Sequence, residues 1–280
     1  MNSTGLKKAL RWGAFLLPRL HNQRIPVLFL LPWLRKRYIL VPLLFLPLLS
    51  AAFSATNQAA EIRYVIDGDT VVLADGQHVR LLGINAPELG KDGAPDQPLA
   101  AQARVGLAVL VEKRRVTLIF EREHHDHYGR LLAHLLLPDG SDVEQILLRE
   151  GLAWAVAVPP DVKSLPVYLA AENEARAAGR GVWSEPAYAP TPVNRLTKND
   201  TGFRFIEGTI LRSVRHRNVI YFDLGPHVAL VVDSADWKKY YRGKPSDLIG
   251  HSVIARGWLT EYRGRLHMRV PHPAMLTWSD

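Results

Sequence analysis

The sequence predicts a mainly β protein with some helix, built as two small five-stranded units in tandem, the first carrying about three helices. Three observations predict it. Short β-rich runs bounded by turn residues recur through residues 62–137 and again through 203–270. Between the two sets lies a stretch poor in apolar residues that contains Pro190 and Pro192 and reads as a linker over 189–200. The chain has 280 residues, 48% apolar and 22% charged, enough for two modest cores and too apolar for wholesale disorder. The boundaries follow: 1–60 a leader, 61–188 a first domain, 189–200 the linker, 201–280 a second domain.

In the first domain, Ile62–Ile66, Thr70–Ala74 and His78–Ile84 are strand runs, and Asp75-Gly76 is a hairpin turn signal. Residues 85–98 form a Pro/Gly/Asp loop. Over Leu99–Arg114 the apolar positions Leu99, Ala103, Leu107, Leu110 and Val111 have helical spacing. Val116–Phe120 and Arg130–Leu137 are further strands, the second closed by Pro138-Asp139-Gly140. Asp142–Glu150 is a short helix that Gly151 stops, Leu152–Val158 reads as extended, and Pro166–Arg180 as a helix ended by Gly181. The second domain shows strands at Phe203–Leu211, Val219–Leu224 and Val228–Val232, a short helix at Ser234–Tyr241, then strands at Ser252–Leu259 and Leu266–Val270. Five strands with a helix between the third and fourth is the order of an OB barrel.

The leader carries Lys7, Lys8, Arg11, Arg19, Arg24, Arg35, Lys36 and Arg37 and no acid, which is the whole formal surplus of +8. Arg35-Lys36-Arg37, then the apolar run Tyr38–Phe53, then small residues around Ser50–Ala55, is the order of an export signal. The run is about 16 residues, below the roughly 20 of a spanning helix, and holds Pro42 and Pro47, so a cleaved signal is expected over a retained membrane anchor. The protein is therefore expected to be exported: periplasmic, secreted, or held at a membrane only by this segment. The remainder is neutral but uneven. Residues 61–188 hold 13 basic and 19 acidic side chains, and residues 189–280 hold 14 and 8, so an acidic front domain adjoins a basic back domain suited to phosphate. There is no cysteine, which excludes a disulfide scaffold, a thiolate zinc site, an iron–sulfur cluster and a Cys nucleophile.

Three stretches of the first domain carry chemistry together. Asp67-Gly68-Asp69-Thr70 sits between two strands and offers carboxylate oxygens of the kind that suit Ca²⁺ or Mg²⁺; alone, it reads as a turn. Arg80-Leu81-Leu82-Gly83-Ile84-Asn85-Ala86-Pro87-Glu88 places Arg80 opposite Val79 and Leu81, on a face where a guanidinium needs an anionic partner, with Glu88 as one candidate. Asp126-His127-Tyr128-Gly129-Arg130 is a turn that supplies a second arginine. His124, His125 and His127 beside Asp126 read as a solvated turn, since four neighbouring residues cannot all face one ion. Carboxylates for a cation, a spare Glu and two arginines form a set that phosphodiester hydrolysis uses.

From Ile62 to Glu185 the first domain resembles the staphylococcal-type thermonucleases, small Ca²⁺-dependent nucleases on an OB barrel. The resemblance runs in order through Val65-Ile66-Asp67-Gly68-Asp69-Thr70-Val71, Arg80 to Glu88, Asp126 to Arg130, Arg149-Glu150-Gly151-Leu152-Ala153 and Val182-Trp183-Ser184-Glu185. It implies Glu88 as general base, Arg80 and Arg130 as the arginines that stabilise the transition state, and Asp69 as a metal ligand. Asn85 stands where a second Asp ligand is usual, and Ala86 where a main-chain carbonyl contributes. Losing that charge weakens the cation site, so Ca²⁺ is the expected cation, with Mg²⁺ or another divalent ion left open. Two substrate-contacting tyrosines of the family align with Ala157 and Pro159, while Tyr128 remains for a phosphate hydrogen bond. The resemblance thus implies an exported metal-dependent endonuclease acting as a monomer on DNA or RNA. The alternative is a catalytically weak nucleic-acid or protein binding module at the cell envelope. In the back domain, Arg212, Arg215, His216 and Arg217 are expected at one turn, and Trp237 to Arg242 mixes rings with bases, a pattern suited to single-strand binding or, equally, to a solvated hairpin tip and an amphipathic helix.

Overall fold

Ten residues, Gln58–Asp67, form the first strand (β1), and two different partners share it. Its first half pairs with Arg115–Ile119 (β5) and its second half with Thr70–Leu73 (β2), with register shifts after Ile62 and Val65 that bend it from one ladder to the other. The computed structural model describes residues 57–279; the leader expected over 1–60 therefore lies almost wholly outside the described residues. The next elements are β3 (His78–Leu81), β4 (Ile84–Asn85), a helix α1 (Ala100–Val111), β5 itself and β6 (Leu131–Leu136). β2 pairs with β3, β3 runs parallel to β6, β6 pairs with β5 and β5 returns to β1, closing a five-stranded barrel in the order β1-β2-β3-β6-β5. The expected five-stranded barrel is the one observed.

Strand alternation puts Ile62, Val71, Leu73, Val79, Leu81, Leu118 and Leu135 inside. α1 adds Leu107 and Val111. α2 (Val143–Arg149), capped by Asp142 through its bond from the Gln145 N–H, adds Leu147 and Leu148. A two-residue strand β7 (Trp154–Ala155) pairs with β4, and α3 (Leu165–Ala177) closes the far side with Tyr168. Asn85 is thereby fixed on a strand opposite Trp154.

The second half contains β8 (Thr191–Pro192), β9 (Gly202–Thr209), β10 (Arg212–His216), β11 (Val219–Asp223), β12 (Val228–Asp233), α4 (Ser234–Tyr240), β13 (Ser252–Tyr262), β14 (Arg265–Arg269) and β15 (Leu276–Ser279). Their ladder runs β10-β11-β12-β14-β13-β9-β8, with β15 also on β13 and with β12 parallel to β14. β9 and β10 are separated by only two residues, so β10, which opens the ladder, continues the strand that pairs with β13 near its other end. That reproduces the connectivity of the first barrel and the OB order expected here.

Two expectations about the second domain and one about the linker are corrected. Arg212, Arg215 and His216 lie along β10, leaving only Arg217, with φ of 53°, in the turn to β11. Trp237 and Tyr241 are buried, stacked on each other at 4.7 Å in the core, so these rings offer no surface for bases. Residues 189–200 are not a free tether: β8 pairs in parallel with β9, and Val193 and Leu196 pack on the second core. That core also takes in Val156, Ala157 and Leu165 from the first half. Among the described residues no helix is long and apolar enough to cross a membrane.

Candidate active site

Glycine at position 68 lets the turn between β1 and β2 press against the barrel's flank. A Cβ there would lie 2.6 Å from the Ala86 Cβ and 2.7 Å from the Ala103 Cβ, closer than two such atoms approach. The turn holds Asp67 and Asp69, both buried. Asp67 Oδ1 accepts the Asp69 N–H at 3.1 Å. Asp69 Oδ2 accepts the Ala86 N–H at 2.8 Å and sits 3.0 Å from Arg80 Nη2, while Oδ1 accepts the Thr70 hydroxyl. Burial drives the Asp69 carboxyl up. Arg80 pulls it back, the charges of Asp67 and Glu88 push it further up, and the outcome is a pKa of about 7.

Arg80 stands on the outer side of β3, as the alternation with Val79 and Leu81 requires. Both of its terminal nitrogens are engaged: Nη1 donates to the carbonyls of Leu81 and Ile84 at 3.0 Å each, and Nη2 donates to Asn85 Oδ1 at 3.1 Å as well as facing Asp69. Its anionic partner is Asp69, not Glu88. Glu88 follows Pro87 into an exposed loop, anchored by a reciprocal pair in which its N–H donates to Gln97 Oε1 and its carbonyl accepts the Gln97 N–H. Arg130 is pinned at the start of β6 by Asp126, which takes its Nε–H at 2.7 Å and its backbone N–H at 2.9 Å. Although burial opposes it, hydrogen bonds from Arg130 and Tyr128 hold the Asp126 carboxyl below its usual range. Tyr128 is 74% exposed, with His127 against its ring and the Arg130 guanidinium 5.5 Å from its centre.

These side chains share one open cleft of about 850 Å³, lined by Asp67, Asp69, Arg80, Asn85, Glu88, Tyr128 and Arg130, with Lys91 at its rim. Ala86 adjoins it through its bond to Asp69. The first-domain candidates Asp69, Arg80, Asn85, Ala86, Glu88, Tyr128 and Arg130 are thus in or against the cleft, and the second-domain ones, Arg212 to Arg217 and Trp237 to Arg242, are not among its lining residues. Sequence reasoning missed two, Trp258 and Thr260, which reach it from β13 of the second barrel. The available signal was a tryptophan on the polar face of a strand whose alternate positions Ala255 and Leu259 are core.

The donors that this turn and β4 offer the cleft are oxygens, the Asp67 and Asp69 carboxylates and the Asn85 amide, with the Ala86 carbonyl beside Asn85. Two buried carboxylates in one turn with a single neighbouring guanidinium leave room for added positive charge, and this donor chemistry fits a hard divalent cation. Among the described residues no group of three or more His, Cys, Asp or Glu is arranged to hold an ion, so a cation here would rely on the neutral oxygens as well.

The family model described as staphylococcal nuclease homologue matches residues 78–185. The chain is 33% identical over 141 residues to the thermonuclease of Staphylococcus intermedius, covering 49% of this chain and 83% of that protein. It is 32% identical over 161 residues to an uncharacterized endonuclease of Escherichia coli, covering 55% of this chain and 98% of that protein. It is also 35% identical over 128 residues to the endonuclease YncB of Bacillus subtilis, covering 44% and 60%. With the barrel order, the cleft and these relatives in agreement, the chain belongs to the staphylococcal nuclease homologue family.

Proposed function

We propose that this protein is a divalent-cation-dependent nuclease that hydrolyses phosphodiester bonds of DNA or RNA. The observation that carries the reading is the single cleft in which Arg80, Arg130 and Glu88 face the Asp67–Asp69 turn. Relatives named thermonuclease and endonuclease support the same reaction class. Glu88, exposed and without a guanidinium partner among the described residues, takes a proton from the water that attacks phosphorus in line. Arg80 and Arg130 bear on the phosphoryl oxygens as charge accumulates there, each already oriented by its carboxylate. Tyr128 at the rim offers a hydroxyl to a neighbouring phosphate. A cation held by Asp67, Asp69, Asn85 and Ala86 would supply further neutralisation of the phosphate.

Export belongs to the same proposal, supported by the basic flank and apolar run of residues 35–55. Fractionation of expressing cells and amino-terminal sequencing of the recovered protein test it. The activity is tested by incubating the full chain with a single-stranded oligonucleotide in Ca²⁺, in Mg²⁺ and in chelator. Cleavage is expected with at least one cation and is lost on chelation. Binding without cleavage under every condition would make the protein a binding module instead, and cleavage indifferent to chelator would remove the metal from the account.

A further inference from the structure

Trp258 is the one aromatic ring that the second barrel contributes to the cleft among the described lining residues, and it is 46% exposed there. It is not loose. Its ring meets Phe203 edge to face at 5.1 Å, and Phe203 lies against the buried Trp154 of β7 at 5.3 Å. β7 in turn pairs with β4, which carries Asn85. The indole is thereby held in a fixed relation to the reaction cleft by three rings that bridge the two barrels. A stiff ring loses little entropy when a flat partner stacks on it.

Trp258 also lines a second cavity, of about 350 Å³. Val156, Ala157, Pro159 and Met275 make that groove mostly apolar, and its charged lining is Asp236, the buried Arg256 and Asp233 paired with Arg269. The two cavities divide a nucleotide by chemistry. The arginine-bearing cleft suits phosphate. The groove suits a flat, mostly apolar group with a polar edge. A base can reach it only by leaving its pair.

We infer that the nucleotide beside the scissile phosphate places its base in this groove against Trp258, so the second barrel supplies a base-contacting site next to the phosphate cleft. This rests on the nuclease reading for the position of the phosphate, while the base contact is measured by binding alone. Stacking a base on an aromatic ring contributes about 5- to 150-fold in affinity.

The test uses the full chain carrying Glu88→Gln to suppress cleavage, with fluorescence anisotropy of two labelled probes: a short oligothymidylate and an abasic oligonucleotide of the same length. The parent is expected to prefer the base-bearing probe. Trp258→Leu, which fills space without a π face, is expected to reduce that preference about 5- to 150-fold, and Trp258→Phe to restore most of it. Thermal melting checks that the variants fold. An unchanged ratio of the two affinities in Trp258→Leu overturns the inference, as does a parent that binds both probes equally. If the wild-type chain cleaves nothing but the ratio still responds to Trp258, the nuclease reading falls and the base site stands.

Discussion

Asp67 and Asp69 owe their position to a residue with no side chain. A methyl group at position 68 would stand only 2.6 Å from the Ala86 Cβ, so Gly68→Ala forces the turn outward from both Ala86 and Ala103. Overpacking of this kind costs about 1–3 kcal/mol, which a shift in urea midpoint will show. Because Ala86 anchors Asp69, the same variant is expected to weaken the proposed cation-dependent cleavage beyond its effect on stability. At this scale the sequence was most readable. Asp69, Arg80, Asn85, Glu88 and Arg130 stand out as a charged and polar set that no core needs, and the barrel collects them. What it did not reveal is how they pair. Arg80 and Glu88 lie close in sequence, yet Arg80 turns to Asp69, because β2 and β3 are adjacent in the ladder and Thr70 is registered against Arg80. Trp258 escaped notice for a related reason: its role depends on which barrel face the cleft meets, and nothing in its local pattern states that.

Elements are joined by buried polar groups as well as by apolar packing. Both oxygens of Glu144 in α2 lie near the Leu135 N–H of β6, at 3.1 and 3.2 Å, tying helix to barrel. Glu144 is fully buried. Burial pushes its carboxyl well above the ordinary value of 4.5, and the Asp142 charge adds to that. The folded state therefore holds this proton where the unfolded chain releases it, so Glu144 makes stability fall as pH rises from about 4.5 toward its folded pKa. Glu144→Gln keeps an acceptor without the titration. Its stability is expected to vary less with pH above 4.5 than that of the wild type, in urea unfolding across the range, and a slope equal to the wild type's would contradict the assignment. The sequence located α1, α2, α3 and α4 within a few residues, since their apolar spacing and stop signals are local. It missed the opening of β1 at Gln58-Ala59-Ala60-Glu61, which lacks β-branched residues and is extended because β5 pairs with it. It missed β10 because a run of arginines looks like a turn until β11 supplies the partner edge.

Across the whole described molecule, the two barrels share structure at the point where the site is built. Arg256 of β13 and Glu172 of α3 form a buried pair at 2.6–2.7 Å, and Glu172 also accepts the Ala155 N–H at 2.8 Å. Ala155 pairs with Ile84, one residue before Asn85. Arg256→Met leaves the Glu172 carboxylate buried without its cation and is expected to cost about 3–5 kcal/mol, with much of the loss recovered by adding Glu172→Gln. Chemical unfolding of the single and double variants checks this; a neutral single variant would mean that the barrels are held by apolar packing alone. The tandem plan was legible from strand spacing, whereas the shared core of Val156, Ala157 and Leu165 with the second barrel was not, because short apolar residues carry no mark of which core they enter. The central claim, that one cleft on the first barrel cleaves phosphodiesters with Glu88 as its base, is tested most directly by the turnover of a single-stranded oligonucleotide by the full chain and by its Glu88→Gln variant under saturating substrate and cation. The account predicts a fall in kcat of roughly 10²- to 10⁴-fold with binding retained. Equal turnover by the two proteins would contradict it.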